Sequence, residues 1–318
     1  MALGWEAFRV LPRGAGVPTR LPTYCCSVAR GCLEMGEAGA VEMPAGFAHS
    51  CDTIQCLGQI WSSAVNKNTV MFVPPVALGS PKALNYLVAE MENVARRLEK
   101  ISGRVLNEQS LRSAIVLNNR VRRLVVKLDE LRPRLPSPLV AALVRAGQVT
   151  PRAAYAHALE ELLPILEGWA VDEPERKRVL ISGAVLESEK LYELIEDLGG
   201  RVVADDSCTG FRHFDRLASE DDDPMRSLAE RLILRAPCPC RHRSLEARAT
   251  YLTGLARSRR ADAVILVLRK YCDPHAWDAV SVSETLRQAN IPVLILELEG
   301  ASPGEQERTR LQAFMESL

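Results

Sequence analysis

The sequence predicts an α/β protein of two doubly wound, parallel-sheet domains joined by a helical segment. Three observations predict it. Residues 179–318 alternate strand and helix patterns in strict turn, which calls for a parallel sheet covered on both faces. Residues 20–80 carry a shorter version of the same alternation, and residues 81–170 read as helical throughout. The expected domains are a small α/β domain at 1–80, a helical segment at 81–175 and a C-terminal α/β domain at 176–318.

In the first domain the clearest helix is "TIQCLGQIWSSAV" at 53–65 and the clearest strand "NTVMFVPPV" at 68–76. The helical segment holds "ALNYLVAEMENVARRLEKISG", "SLRSAIVLNNRVRRLVVKLDELR" and "TPRAAYAHALEELLPILEG", the last with a Thr cap and Pro151 at its first helical position. In the last domain "RVLISG" at 178–183 is a strand. A helix follows at 188–200, with Leu191, Leu194, Ile195 and Leu198 on one face and Gly199-Gly200 as its stop. Strand "RVVADD" at 201–206 ends in two aspartates. Helices at 224–235 and 244–259, a strand at 262–268, a helix near 279–289 and the strand "IPVLILELE" at 291–299 complete the pattern.

The 318 residues carry 40 basic and 40 acidic side chains, and aromatics make up only 5%, so neither a basic stripe nor a stacking platform for nucleic acid is present. Apolar runs stop well short of the roughly 20 residues that a membrane helix needs. The stretch "MALGWEAFRVLPRGAGVPTR" lacks the apolar core of a signal peptide. The expectation is a cytoplasmic chain.

Nine cysteines, at 25, 26, 32, 51, 56, 208, 238, 240 and 272, are an odd number, and in a cytosolic chain they point to metal or redox chemistry before disulfides. Three stand in comparable places, each in a loop entering a helix: Cys26 in "PTYCCSVARGC", Cys51 in "FAHSCDTIQCLGQIW" and Cys272 in "KYCDPHAWD". Free N–H groups and the partial positive charge of a helix start favour a thiolate there. Cys272 also follows the apolar strand "ADAVILVL", beyond whose carboxyl end an open parallel sheet binds its ligands. Three thiolates from separate loops could hold one face of an iron–sulfur cluster and leave the fourth iron open to substrate. The competing reading of each is a buried small hydrophobe.

Other motifs fit less well. "CPC" at 238–240 lacks the second close pair of a structural zinc site, and the adjacent Cys25 and Cys26 cannot easily both bind one ion. No phosphate-binding loop with a following Lys and Ser/Thr occurs, "SGAVLESEK" has too few glycines for a dinucleotide fingerprint, and there is no nucleophile elbow. His275 lies close to Cys272 and is open to a functional role, a supporting role behind a ligand, or a solvated one. No catalytic side chain stands out.

"HSCDTIQCLGQIW", "GRVVADDSCTGFRHF", "AERLILRAPCP", "ADAVILVLRKYCDP", "IPVLILELE" and "GEQERTRLQAFMESL" together resemble the 2-hydroxyacyl-CoA dehydratase and benzoyl-CoA reductase family of iron–sulfur subunits, over about residues 20–318. The resemblance implies two Rossmann- or flavodoxin-like domains with a helical segment and a [4Fe–4S] cluster in the cleft. It places the cluster cysteines at Cys26 (in "CSVAR"), Cys51 (in the Cys-Asp pair) and Cys272 (in "YCDP"), with Cys25 as a substitute for Cys26. Set against the family, the segment before the first cysteine and the stretch from Cys26 to Cys51 look shortened, which implies a truncated N-terminal domain.

The resemblance further implies a partner: a second, similar subunit. It also implies a separate ATP-dependent iron–sulfur activator that injects one low-potential electron, and an acyl-CoA substrate dehydrated through a ketyl radical anion. Three alternatives stay open: an aryl-CoA reductase subunit, a double-cubane (8Fe–9S) reductase in which Cys208, Cys238 and Cys240 take part, and a non-catalytic partner subunit. In "YCDP", Asp273 is expected to cap the following helix and Pro274 to take its first position, so that Cys272 points into the cleft toward Cys51.

Overall fold

The computed structural model describes residues 20–39, 44–241 and 244–318; the stretch 1–19, where a leader would be sought, lies outside them. In chain order the elements are α1 (Ser27–Glu37), β1 (Gly46–Ala48), α2 (Asp52–Ala64), β2 (Val70–Phe72), α3 (Ala83–Ser102), α4 (Glu108–Leu131), α5 (Ser137–Val149), α6 (Arg152–Trp169), β3 (Lys177–Gly183), α7 (Lys190–Asp197), β4 (Gly200–Ser207), α8 (Pro224–Leu234), α9 (Leu245–Ser258), β5 (Ala263–Arg269), α10 (Asp273–Gln288), β6 (Val293–Leu298) and α11 (Glu305–Glu316). The α/β class and the parallel pairing read from the sequence hold in both sheets.

The chain folds as two compact units. One contains Arg120–Asp215 and Ser244–Leu318; the other contains the described residues up to Asn119 and Arg216–Arg243. The first is built on a four-stranded parallel sheet of order β4-β3-β5-β6. Successive strand residues face opposite ways, and each face finds its own helices. Val179, Ile181, Val202, Ile265, Val267, Leu296 and Leu298 pack with Leu191 and Ile195 of α7 and Leu311 and Met315 of α11. Leu180, Ala204, Val264, Leu266 and Leu268 pack on the other side with Leu252 and Ala256 of α9 and Val282 and Leu286 of α10. The chain leaves β3 toward β4 over one face and β5 toward β6 over the other. The order therefore reverses between β3 and β5, and their carboxyl ends form the switch point at which such sheets bind ligands. The C-terminal part of α4 joins α5 and α6 around Val125, Leu128, Val144, Tyr155 and Leu159 as a separate helical core of this unit.

In the second unit β1 and β2 form a two-stranded parallel sheet. The strand expected over 68–76 is cut to Val70–Phe72, since Pro74 and Pro75 have no N–H to give a ladder. Leu21, Cys25, Ala29, Leu33, Leu57 and Trp61 bring α1 onto α2 in a small core, and α3 packs against β2 and α8.

Two local expectations are corrected. The helix expected near 279–289 begins at Asp273, because Pro at the first turn sacrifices no helical hydrogen bond. Pro151 is the N-cap of α6, so Thr150 lies outside the helix it was expected to cap. No described helix is long and apolar enough to cross a membrane.

Candidate functional site

Cys26, Cys51 and Cys272 are the N-cap residues of α1, α2 and α10. Each cap carbonyl accepts the first helical hydrogen bond: from Arg30 N–H at 3.3 Å, Gln55 N–H at 3.1 Å and Ala276 N–H at 3.0 Å. None of the three side chains is used as an ordinary cap, and all three are half-buried. Asp273 is the first helical residue and not the cap, which corrects the expectation for it; Asp52 stands likewise behind Cys51, and in both pairs the cysteine itself holds the cap position. The sequence signal was right in kind, a cysteine at a helix start, and one residue off in register.

In the second unit Cys25 lies in electrostatic range of Cys26 and Cys56, and Cys51 in range of Cys26. Cys25 is turned into the α1–α2 core and bonded to Thr53, whereas Cys26 stands at the helix end. Burial pushes the Cys51 thiol up, and the nearby backbone N–H groups of Ile54 and Thr53 only partly pull it back. At Cys51 the expectation that a helix start favours the thiolate is thus outweighed by desolvation in the free protein. Cys32, inside α1, is pushed up to about 11 by burial. Cys238 and Cys240 flank a turn in which Cys238 and Arg241 exchange backbone hydrogen bonds at 3.1 and 2.9 Å, with the Arg241 guanidinium in electrostatic reach of both sulfurs.

The first unit carries Cys272 and Cys208 at its strand ends. Tyr271, with φ of 65°, turns the chain sharply after β5, and Cys272 N–H closes the turn on Arg269 C=O at 2.9 Å. The Cys272 Sγ lies 3.2 Å from Nδ1 of His275, which is 5% exposed. Cys208 follows β4, and its Sγ is 3.8 Å from Nη1 of Arg212.

Behind these two cysteines is a buried ion network that the sequence reading did not find. Asp206 accepts hydrogen bonds from Ser182 Oγ at 2.8 Å, Arg212 Nε at 3.1 Å and Arg212 Nη2 at 2.9 Å, and pairs with Arg248 Nη2 at 2.8 Å. Arg248 reaches on to Asp278 of α10 at 3.3 Å. Burial pushes Asp206 up, but the two guanidinium groups outweigh it and hold the carboxyl at about 2. Asp206, the second of the two aspartates closing "RVVADD", was a visible trace of this network; its arginines, on a turn and on α9, have no shared spacing that a sequence could reveal. Among the described residues, no three His, Cys, Asp or Glu side chains stand ready-made around one metal position.

The profile described as "2-hydroxyglutaryl-CoA dehydratase, D-component" matches residues 13–318. The chain belongs to that family. It is a dehydratase-like enzyme subunit, and the resemblance read from its motifs holds across the chain. It is 26% identical to the (R)-phenyllactyl-CoA dehydratase beta subunit of Clostridium sporogenes over 310 residues, covering 94% of this chain and 82% of that protein. It is 26% identical to lactoyl-CoA dehydratase subunit beta of Anaerotignum propionicum, with 94% of this chain and 82% of that one covered. It is also 26% identical to a benzoyl-CoA reductase subunit of Thauera aromatica, over 92% of this chain and 78% of that one.

Proposed function

We propose that this D-component family member is the iron–sulfur subunit of a 2-hydroxyacyl-CoA dehydratase, and that Cys26, Cys51 and Cys272 hold a single [4Fe–4S] cluster. The observation that carries the reading is the shared setting of the three: each is a half-buried cysteine at the N-cap of a helix, with no ordinary side-chain capping hydrogen bond. The donor chemistry fits, since soft thiolates are what iron–sulfur clusters take and three of them leave one iron open. When bound, a cluster of this kind supplies one low-potential electron and a Lewis-acidic iron.

The residues of the chain do the rest. The N–H groups of Thr53 and Ile54 lie near the Cys51 sulfur and would offset the negative charge it takes on when metal replaces its proton. Cys25, held in the core, leaves Cys26 as the ligand of the adjacent pair. The switch point beside Cys272 gives a substrate oxygen a place to approach. The electron comes from a separate ATP-dependent iron–sulfur activator, the substrate is a 2-hydroxyacyl-CoA, and the working enzyme pairs this chain with a second, similar subunit in the cytoplasm. The beta-subunit names of the relatives support the pairing.

Anaerobic purification tests the reading: a brown protein with about four irons per chain, losing iron in Cys51→Ala and Cys272→Ala, is the expected result. A colourless protein, or iron content indifferent to both substitutions, overturns it. Iron near twice that figure, dependent on Cys208, Cys238 or Cys240, would instead favour the double-cubane form. A second reading, reduction of an aryl-CoA, is favoured by the equal identity to a benzoyl-CoA reductase subunit. Turnover with activator, ATP and reductant against 2-hydroxyacyl-CoA and aryl-CoA thioesters separates the two, and turnover of neither marks a non-catalytic partner subunit.

A further inference from the structure

Cys51 and Cys272 occupy equivalent positions, but their helices do not offer them the same donors. At Cys51 the N–H groups of the second and third helical residues, Thr53 and Ile54, lie near enough to the sulfur to favour its charged form. In α10 the second helical residue is Pro274, which has no N–H. Position 274 therefore offers no N–H where Thr53 offers one beside Cys51.

The third helical residue of α10 is His275, and its side chain turns back toward the N-cap. Nδ1 lies 3.2 Å from the Cys272 Sγ, and the ring is only 5% exposed. The geometry is that of a capping box, in which the third residue's side chain returns to the cap residue, with a sulfur as the target. A thiolate bound to iron has no proton to give and can only accept, so in that state the proton of the pair sits on Nδ1.

We propose that His275 is a positioning residue that donates Nδ1–H to the Cys272 sulfur in place of the backbone donor Pro274 removes, and so raises the reduction potential of the cluster. This rests on the reading of Cys272 as a cluster ligand. Reduction adds negative charge to the cluster and its sulfurs, so an N–H aimed at one of them favours the reduced form. A donor that is a side chain can be removed without altering the helix backbone, which makes its effect separable from folding.

The test is a redox titration, followed by electron paramagnetic resonance, on the anaerobically purified, cluster-loaded full-length protein. His275→Leu is expected to keep its iron and shift to a more negative potential. His275→Asn, whose side-chain nitrogen can stand where Nδ1 stands, is expected to move it back toward wild type. Full iron and an unchanged potential in His275→Leu overturn the proposal. Should that variant not fold, Pro274→Ala decides in its place: it restores the missing N–H and is expected to shift the potential upward, and no shift overturns the proposal. Cys272→Ala separates the two levels of the argument. If it retains all its iron, the ligand reading fails and the proposal with it; if it loses iron while His275→Leu titrates as wild type, only the role of His275 fails.

Discussion

Gly36 and the Trp61 ring meet so closely that a Cβ at position 36 would stand 2.7 Å from two ring carbons. Gly36 is near the C-terminal end of α1 and the fully buried Trp61 near that of α2, so this contact limits how near the two helices lie at the ends opposite their cap residues Cys26 and Cys51. Gly36→Ala is expected to push the helices apart and destabilise this unit by about 1–3 kcal/mol, as overpacking of a filled core does. Urea unfolding followed by tryptophan fluorescence measures it. Iron retained after anaerobic reconstitution is expected to fall in the same variant.

Arg248 is 1% exposed and stands between Asp206 and Asp278. Arg248→Met removes the cation and leaves two buried carboxylates short of a partner, at an expected loss of about 3–5 kcal/mol. Asp206→Asn combined with Arg248→Met is expected to recover part of that loss, and a double-mutant cycle in denaturant reads the coupling. Additive losses would show that the pair is not coupled.

The acid limb of stability should carry the mark of Asp206. Its carboxyl is held at about 2 in the fold, against about 3.9 in an unfolded chain. The sign follows: the folded value is depressed, so the contribution is fully present above about pH 4 and is lost as pH falls toward 2. The difference amounts to about 2–3 kcal/mol. Asp206→Asn is therefore expected to flatten the dependence of unfolding free energy on pH between roughly 4 and 2, measured by chemical denaturation at stepped pH.

Tyr271 sits at φ of 65°, in the left-handed region, with its ring 42% exposed. A β-branched residue fits that region worst and glycine best. Tyr271→Val is expected to lower the melting temperature more than Tyr271→Gly, with a difference of about 1–2 kcal/mol. The reverse order would place the strain elsewhere in the turn.

Much of this molecule was legible in its sequence because its signals are local. Apolar runs such as "ADAVILVL" are buried on both sheet faces, and a strand of that kind has few other places to go. The cysteines at 26, 51 and 272 were visible because each opens a helical pattern, two of them with an Asp directly behind. The offset by one residue at Asp273 arose because Asp is itself a preferred cap, so the pattern cannot say which member of a Cys-Asp pair takes the position. The Asp206–Arg212–Arg248–Asp278 network stayed hidden for a different reason. Its members come from a strand, a turn and two helices, and only the tertiary fold gathers them.

The chain visits both units more than once, and that has a consequence for its synthesis. Strand β3 needs β4 on one side and β5 on the other, but Arg216–Arg243 and α9 are translated between the second and the third of these. Until β5 leaves the ribosome, the apolar strand Lys177–Gly183 has an open edge, and at roughly 5–20 residues per second that edge waits several seconds. Products truncated before Ala263 would carry it permanently, ready to pair with another nascent chain. The other unit waits as well, since α3 is made long before its packing partner α8. Holdase chaperones should therefore raise the yield of this protein, and a slow translation rate, which lengthens the wait, should lower it.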